Sequence, residues 1–224
     1  MIIERLRGGL IVSCQAYPGE PLQDADVMRR MAQAAVLGGA VGIRAKGIDD
    51  IRLINEVIDV PLIGLVKIGS TGVYITPTVE HAVAVAEAGA GMVAIDGTRR
   101  PRPDGLDLPD TIAAIHDRTG ALVLADVGDL EDGIACAAAG ADLISTTLAG
   151  YTDSRPRTDG PDIALVHELT SRIDLPVLAE GRIRTTDQAG ACLAAGAYAV
   201  VVGTAITHPT SITRWFADAL KEGQ

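Results

Sequence analysis

Hydrophobic positions in this chain fall in short continuous runs rather than strict alternation, and one phrase recurs: VLGGAVGIRA (36–45), EAGAGMVAID (87–96), AAGADLIST (138–146) and AAGAYAVVVG (194–203). Each joins an alanine-rich helical tail, a glycine at the place of a helix C-cap and a β-branched run, which is the joint between a helix and the next strand. The proline-led runs VPLIGLVK (60–67) and LPVLAEG (175–181), the run ALVLADV (121–127) and the first run GGLIVSCQ (8–15) bring the predicted strands to eight. Helix starts follow strands: Thr76 is the expected N-cap of TPTVEHAVAVAEAG with Pro77 at its first helical position, and Thr185 with Gln188 forms a capping box in TTDQAGACLAAG.

Eight βα units with strands apolar on both faces predict a single-domain (β/α)8 TIM barrel over residues 1–224. An open doubly wound sheet is the alternative. No GxGxxG follows the first strand, which ends in Cys14 and Gln15, and this weighs against a dinucleotide site.

Composition narrows the function. At 224 residues, 48% hydrophobic, the chain can bury one large core, and its 3% aromatic content leaves no stacking platform. A formal net charge of −10 argues against nucleic acid and anionic membrane as partners, so any anionic ligand must meet a local positive site. Cys14, Cys136 and Cys192 lack CxxC spacing and lie in apolar segments, as reduced core thiols do in a cytoplasmic protein. MIIERLRGGLIVSCQA resembles neither a signal peptide nor an anchor. No apolar stretch approaches the roughly 20 residues of a membrane span.

In a barrel the chemistry stands where strands end. The strand-end residues are Gln15, Arg44, Lys67, Asp96, Asp126, Thr146 with Thr147, Glu180, and Gly203 with Thr204. Two cations and three carboxylates would converge on one mouth. Glycines in AEGRI (179–183) and VVGTAI (201–206), after the last two strands, point to phosphate. His81, His116 and His167 fall in helical patterns and only His208 lies near the mouth, so no metal-ligand set can be drawn. Lys67, one of three lysines, ends an apolar run. It can pair with an anion, form a Schiff base, or carry a proton once desolvation and Arg44 lower its pKa.

GGLIVSCQA, VGIRA, VYITPT, the stretch 96–103, LADV, TTLAGYT, GPD, AEGRI and VVGTAIT, in this order, closely resemble the N-acetylmannosamine-6-phosphate 2-epimerases of sialic-acid catabolism over almost the whole chain. The resemblance implies a metal-independent, cofactor-free barrel that inverts C2 of an N-acylated amino-sugar 6-phosphate, and a homodimer. It implies Lys67 and Glu180 as catalytic residues and Gln15, Arg44, Asp126 and Thr147 as substrate-binding. Gly181, Arg182, Gly203, Thr204 and His208 would take the phosphate, although the family usually has arginine at 208, which makes phosphate affinity depend on an imidazole. The loop IGSTGV (68–73), shorter than in many relatives, is a mobile or tight turn over the site. The loop TDSRPRTDGPD (152–162) is a solvated connector or a lid carrying Arg155 or Arg157. Asp96 with Arg99, Arg100 and Arg102 would shape the fourth loop. A phosphosugar-binding barrel without turnover, or a Schiff-base aldolase using Lys67, are the other readings.

Overall fold

Four copies of one helix-to-strand joint set the rhythm of the fold. Gly39, Gly89, Gly140 and Gly196 adopt φ of 100°, 109°, 93° and 100°. The next amide in each joint, from Ala40, Ala90, Ala141 and Ala197, bonds back to the carbonyl of Ala35, Val85, Cys136 and Cys192. This is the Schellman closure, and the sharp reversal it requires favours glycine. The glycines at 89, 140 and 196 therefore stand one residue beyond the caps Ala88, Ala139 and Ala195.

The computed structural model describes residues 2–222. The expected span of 1–224 also includes residues 1, 223 and 224, which lie outside that range. Strands β1 (Leu10–Cys14), β2 (Gly42–Lys46), β3 (Leu62–Leu65), β4 (Met92–Asp96), β5 (Leu122–Asp126), β6 (Leu143–Ser145), β7 (Val177–Glu180) and β8 (Ala199–Val202) alternate with helices α1 (Ala25–Leu37), α2 (Ile48–Asn55), α3 (Val79–Glu87), α4 (Leu108–Thr119), α5 (Leu130–Ala138), α6 (Ile163–Arg172) and α7 (Thr186–Ala194), followed by α8 (Thr204–Thr207) and α9 (Pro209–Glu222). All strands are parallel and close in sequence order, with β1 pairing β8. This is the (β/α)8 barrel, not the open sheet.

Acidic residues start many of the helices. The side chains of Asp24, Asp107, Asp129 and Asp162 accept amide hydrogen bonds in the first turns of α1, α4, α5 and α6, satisfying donors that a helix start leaves open. Thr185 caps α7 as expected, but Gln188 Oε1 accepts from the Arg184 amide rather than from that of Thr185. Thr76 is not the cap of α3. Thr78 holds that position and accepts from the His81 amide, because Thr76 is buried in a left-handed conformation with its hydroxyl engaged elsewhere.

The pleat sends alternate side chains to two cores. Outward residues such as Val12, Ile43, Val93 and Val123 pack under the helices. Inward residues Ile11, Ile63, Met92, Leu124, Leu143, Leu178 and Val201 fill the barrel, with Leu6 from the 3-10 turn Ile3–Leu6 packed among them at the N-terminal end. Among the described residues no helix is long and apolar enough to cross a membrane. Cys14, Cys136 and Cys192 are free and buried, as expected.

Candidate active site

Continuing the inward alternation towards the C-terminal ends of the strands replaces apolar side chains by polar ones. Ser13 and Gln15 follow Ile11, Arg44 follows Gly42, Asp126 follows Leu124, Ser145 follows Leu143 and Glu180 follows Leu178. One pleat thus gathers residues from most of the chain at one mouth.

Arg44 organises this layer. Its guanidinium is 1% exposed and forms a two-pronged bond to Asp126, 3.0 Å to Oδ1 and 2.6 Å to Oδ2, and an ion pair of 3.2 Å to Glu180 Oε2. Thr147 Oγ1 stands 2.7 Å from Asp126 Oδ1 and 3.0 Å from Glu180 Oε2, so its single proton can serve one carboxylate at a time. One guanidinium thus faces two carboxylates. Burial raises the Glu180 pKa against the pull of Arg44, and the neighbouring Asp126 charge adds to the rise. Every bond to the Glu180 carboxyl falls on Oε2, leaving Oε1 without a partner among the described residues. Asp126 is fully buried, with both oxygens bonded to Arg44. Gln15 is half-buried and donates 2.8 Å to Ser13 Oγ.

Lys67 lies two residues beyond the end of β3, on a hairpin. Lys67 bridges Ile75 in antiparallel fashion, Ile68 N donates to Tyr74 O at 3.0 Å, and Thr76 N donates to Val66 O at 2.8 Å. Gly69 and Gly72, at φ 76° and 63°, turn the chain, so the 68–73 loop is the tight turn. The returning strand completes the barrel wall: β3 and β4 pair only at Ile63↔Met92 and Gly64↔Val93, and above them the Asp96 amide bonds Ile75 O. Thr76, a β-branched residue at φ 42°, ends the hairpin, a conformation costing on the order of 1–3 kcal/mol. Lys67 is exposed at the rim of the mouth. Desolvation and the Arg44 guanidinium push its pKa below the lysine range, against Glu180 and Asp126. Among the described residues Lys67 Nζ has no hydrogen-bond or ion-pair partner.

At the β7 and β8 ends, Gly181 has φ 113°, and a side chain at Gly203 would meet Ser13 Cβ at 3.2 Å, so the backbone there runs close to β1. Thr204 opens α8 beside it. Two expected phosphate ligands are engaged elsewhere. The Arg182 guanidinium donates to Gly160 O (3.0 Å), Ala149 O (2.7 Å) and Thr158 Oγ1 (3.0 Å), bracing the loop after β6. His208 is buried, with Nε2 2.5 Å from Glu20 Oε2 and Nδ1 2.7 Å from Ser211 Oγ, so both ring nitrogens are occupied. Its imidazole ties the loop after β1 to α9. Arg155 is held by Asp162 and by Glu168 of α6, and Arg157 lies over Tyr151, so the 152–162 loop is tied down at several points. Asp96 bonds Thr98 and Arg100 within the loop after β4, and Arg99 ties that loop to Asp129 and Asp132 at the start of α5.

A family described as "Putative N-acetylmannosamine-6-phosphate epimerase" matches residues 28–222. A relative from Cutibacterium acnes, a "Putative N-acetylmannosamine-6-phosphate 2-epimerase", is 54% identical over 98% of this chain and 97% of its own length. The chain belongs to this epimerase family. A second relative of the same description, from Caldanaerobacter subterraneus, is 49% identical over 99% of this chain and 94% of its own. The solved N-acetylmannosamine-6-phosphate 2-epimerase of Clostridium perfringens superposes with a TM-score of 0.94 at 42% identity, covering 98% of this chain and 96% of that one. A thiamine phosphate pyrophosphorylase from Pyrococcus furiosus, at TM-score 0.64 and 18% identity, shares the barrel alone. Members of the family are isomerases.

Two parts of this epimerase-family site carry no local signal in the sequence. Ser145, which bonds Thr147 and Glu180, reads as the end of an apolar run. Tyr74 packs on the inner core from the Lys67 hairpin, and its residue pattern alone does not distinguish it from a surface turn.

Proposed function

We propose that the protein interconverts N-acetyl-D-mannosamine 6-phosphate and N-acetyl-D-glucosamine 6-phosphate, without a metal, by removing and returning the C2 proton of the ring-opened sugar. The observation that carries this reading is the placement of Lys67, whose amine has no partner among the described residues, on the hairpin at the mouth that also holds Arg44 and Glu180. Neutral Lys67 takes the C2 proton, and the C–H electrons move to the C1 carbonyl oxygen as an enolate. Arg44 supplies positive potential to that oxygen, with its Nε buried and without a partner among the described residues. Glu180, its pKa raised and one oxygen open, protonates the ring oxygen as the bond from C1 to that oxygen breaks, while the C1 hydroxyl proton passes to water and leaves the C1 aldehyde. Because one base serves both epimers, the enolate must turn its other face to Lys67 before the proton returns. Gln15 and Thr147 orient the open-chain sugar, and the backbone at Gly181, Gly203 and Thr204 receives the phosphate.

Proton NMR of N-acetylmannosamine 6-phosphate in D₂O with chelator present tests this. Deuterium should enter C2 as the other epimer appears, and Lys67→Ala should abolish both. Saturable binding without exchange would favour a binding barrel, and covalent trapping by borohydride an aldolase.

We also propose a homodimer. On α9, Ile212, Phe216 and Leu220 recur at helical spacing, and Phe216 and Leu220 are 71% and 73% exposed, an apolar stripe that a second copy would cover. Light scattering should give a dimer that Phe216→Asp dissociates. A monomeric parent would refute it.

A further inference from the structure

We propose that Thr76 is a positioning residue for Lys67, fixing through its hydroxyl the base of the hairpin that holds the lysine in the mouth. This rests on the reading of Lys67 as proton carrier. In a regular antiparallel hairpin with Lys67 opposite Ile75, the flanking pair Val66 and Thr76 would exchange two main-chain bonds. Only one is made by the main chain, Thr76 N to Val66 O at 2.8 Å. For the other, Val66 N donates to Thr76 Oγ1 at 3.2 Å. The hydroxyl takes the place of the main-chain carbonyl, and the left-handed backbone at φ 42° is the local departure from strand geometry that accompanies it. Thr76 is fully buried and follows Ile75, which lies in the inner core and accepts from the Asp96 amide.

A fully buried β-branched residue in this region of backbone space persists only where its surroundings over-determine it. Here they tie the start of the hairpin to its end, one residue before Lys67. With the base fixed, the backbone of Lys67 is held in register opposite Ile75. Its amine then keeps its setting among Arg44 and Lys46 of β2, Asp126 of β5 and Glu180 of β7.

The test compares Thr76→Val, of similar shape but without the hydroxyl, with Thr76→Ser, which keeps it, both beside Lys67→Ala. Thr76→Val should lower kcat on the order of 100-fold with KM little changed, as expected for a misplaced catalytic group. Its pH–rate limb for the Lys67 base should also move upward, because an amine released towards water regains the ordinary lysine pKa. Thr76→Ser should return both quantities towards the parent. If Thr76→Val does not fold, Thr76→Ala, which lacks the hydroxyl with less crowding, carries the same comparison. Should Lys67→Ala retain C2 exchange, the proton-carrier reading fails and this inference falls with it. If Lys67→Ala is inactive while Thr76→Val keeps the parental kcat and pH limb despite a lower Tm, only the positioning role is overturned.

Discussion

At the floor of the barrel Leu6, Ile11, Ile63 and Met92 meet in an apolar cluster, whereas two or four residues further along the same strands the inward positions are Ser13, Lys67 and Asp96, with Arg44, Asp126 and Glu180 beside them. The backbone that places both sets is the same parallel pleat. What differs is how each layer tolerates losing water. The floor gains free energy from desolvation. The mouth loses it, and one guanidinium that answers Asp126 and Glu180 together offsets part of that loss. Stability and chemistry are therefore segregated along the barrel axis, with Arg44 belonging to both.

Replacing Arg44 breaks that segregation most strongly. Arg44→Met leaves Asp126 fully buried without its counter-charge, and loss of one partner of a buried pair costs about 3–5 kcal/mol. Denaturant unfolding at neutral pH should show this loss, shrinking in acid as the abandoned carboxylates take up protons. A loss below about 1 kcal/mol would mean that the pair is solvated and the contrast with the floor false. Ile63→Ala sharpens the other side. It should destabilise by about 2–5 kcal/mol through the cavity it opens, with exchange at C2 per folded molecule unchanged. A comparable drop in exchange would show that floor and mouth are mechanically coupled.

The same axis separates what the sequence made legible from what it did not. The barrel could be read because its signals are local: the alanine tail, the glycine of the Schellman turn and the β-branched run recur within ten residues. The placement of Arg44, Lys67, Asp126 and Glu180 at the mouth could be read for the same reason, since each stands where an apolar run stops. Partnerships could not. Arg44 and Asp126 are 82 positions apart, and His208 meets Glu20 across 188, distances over which residue types carry no pairing information. Arg182 reads as a phosphate ligand from its motif, and only the folded loop after β6 supplies the carbonyls that occupy it. Thr76 reads as the cap of α3 until its left-handed backbone removes it from contention.

The smallest expected effect concerns Lys67 itself, the one cation of the mouth with no partner among the described residues. Its folded pKa is depressed, so the unfolded chain binds the proton more tightly, and folded stability rises with pH from the lowered value up to the ordinary lysine pKa near 10.4. Below that window the lysine is charged in both states and its crowded setting works against the fold. Lys67→Met should therefore be more stable than the parent at pH 7, and its advantage should narrow as pH approaches 10. The residue's solvent access keeps the difference modest, so the diagnostic is the slope, measured by denaturant unfolding of both proteins across that range. A gap that is constant or widens with pH would mean that Lys67 is an ordinary solvated lysine. The mouth would then lose its poised base, and its contrast with the floor would rest on the Arg44 network alone.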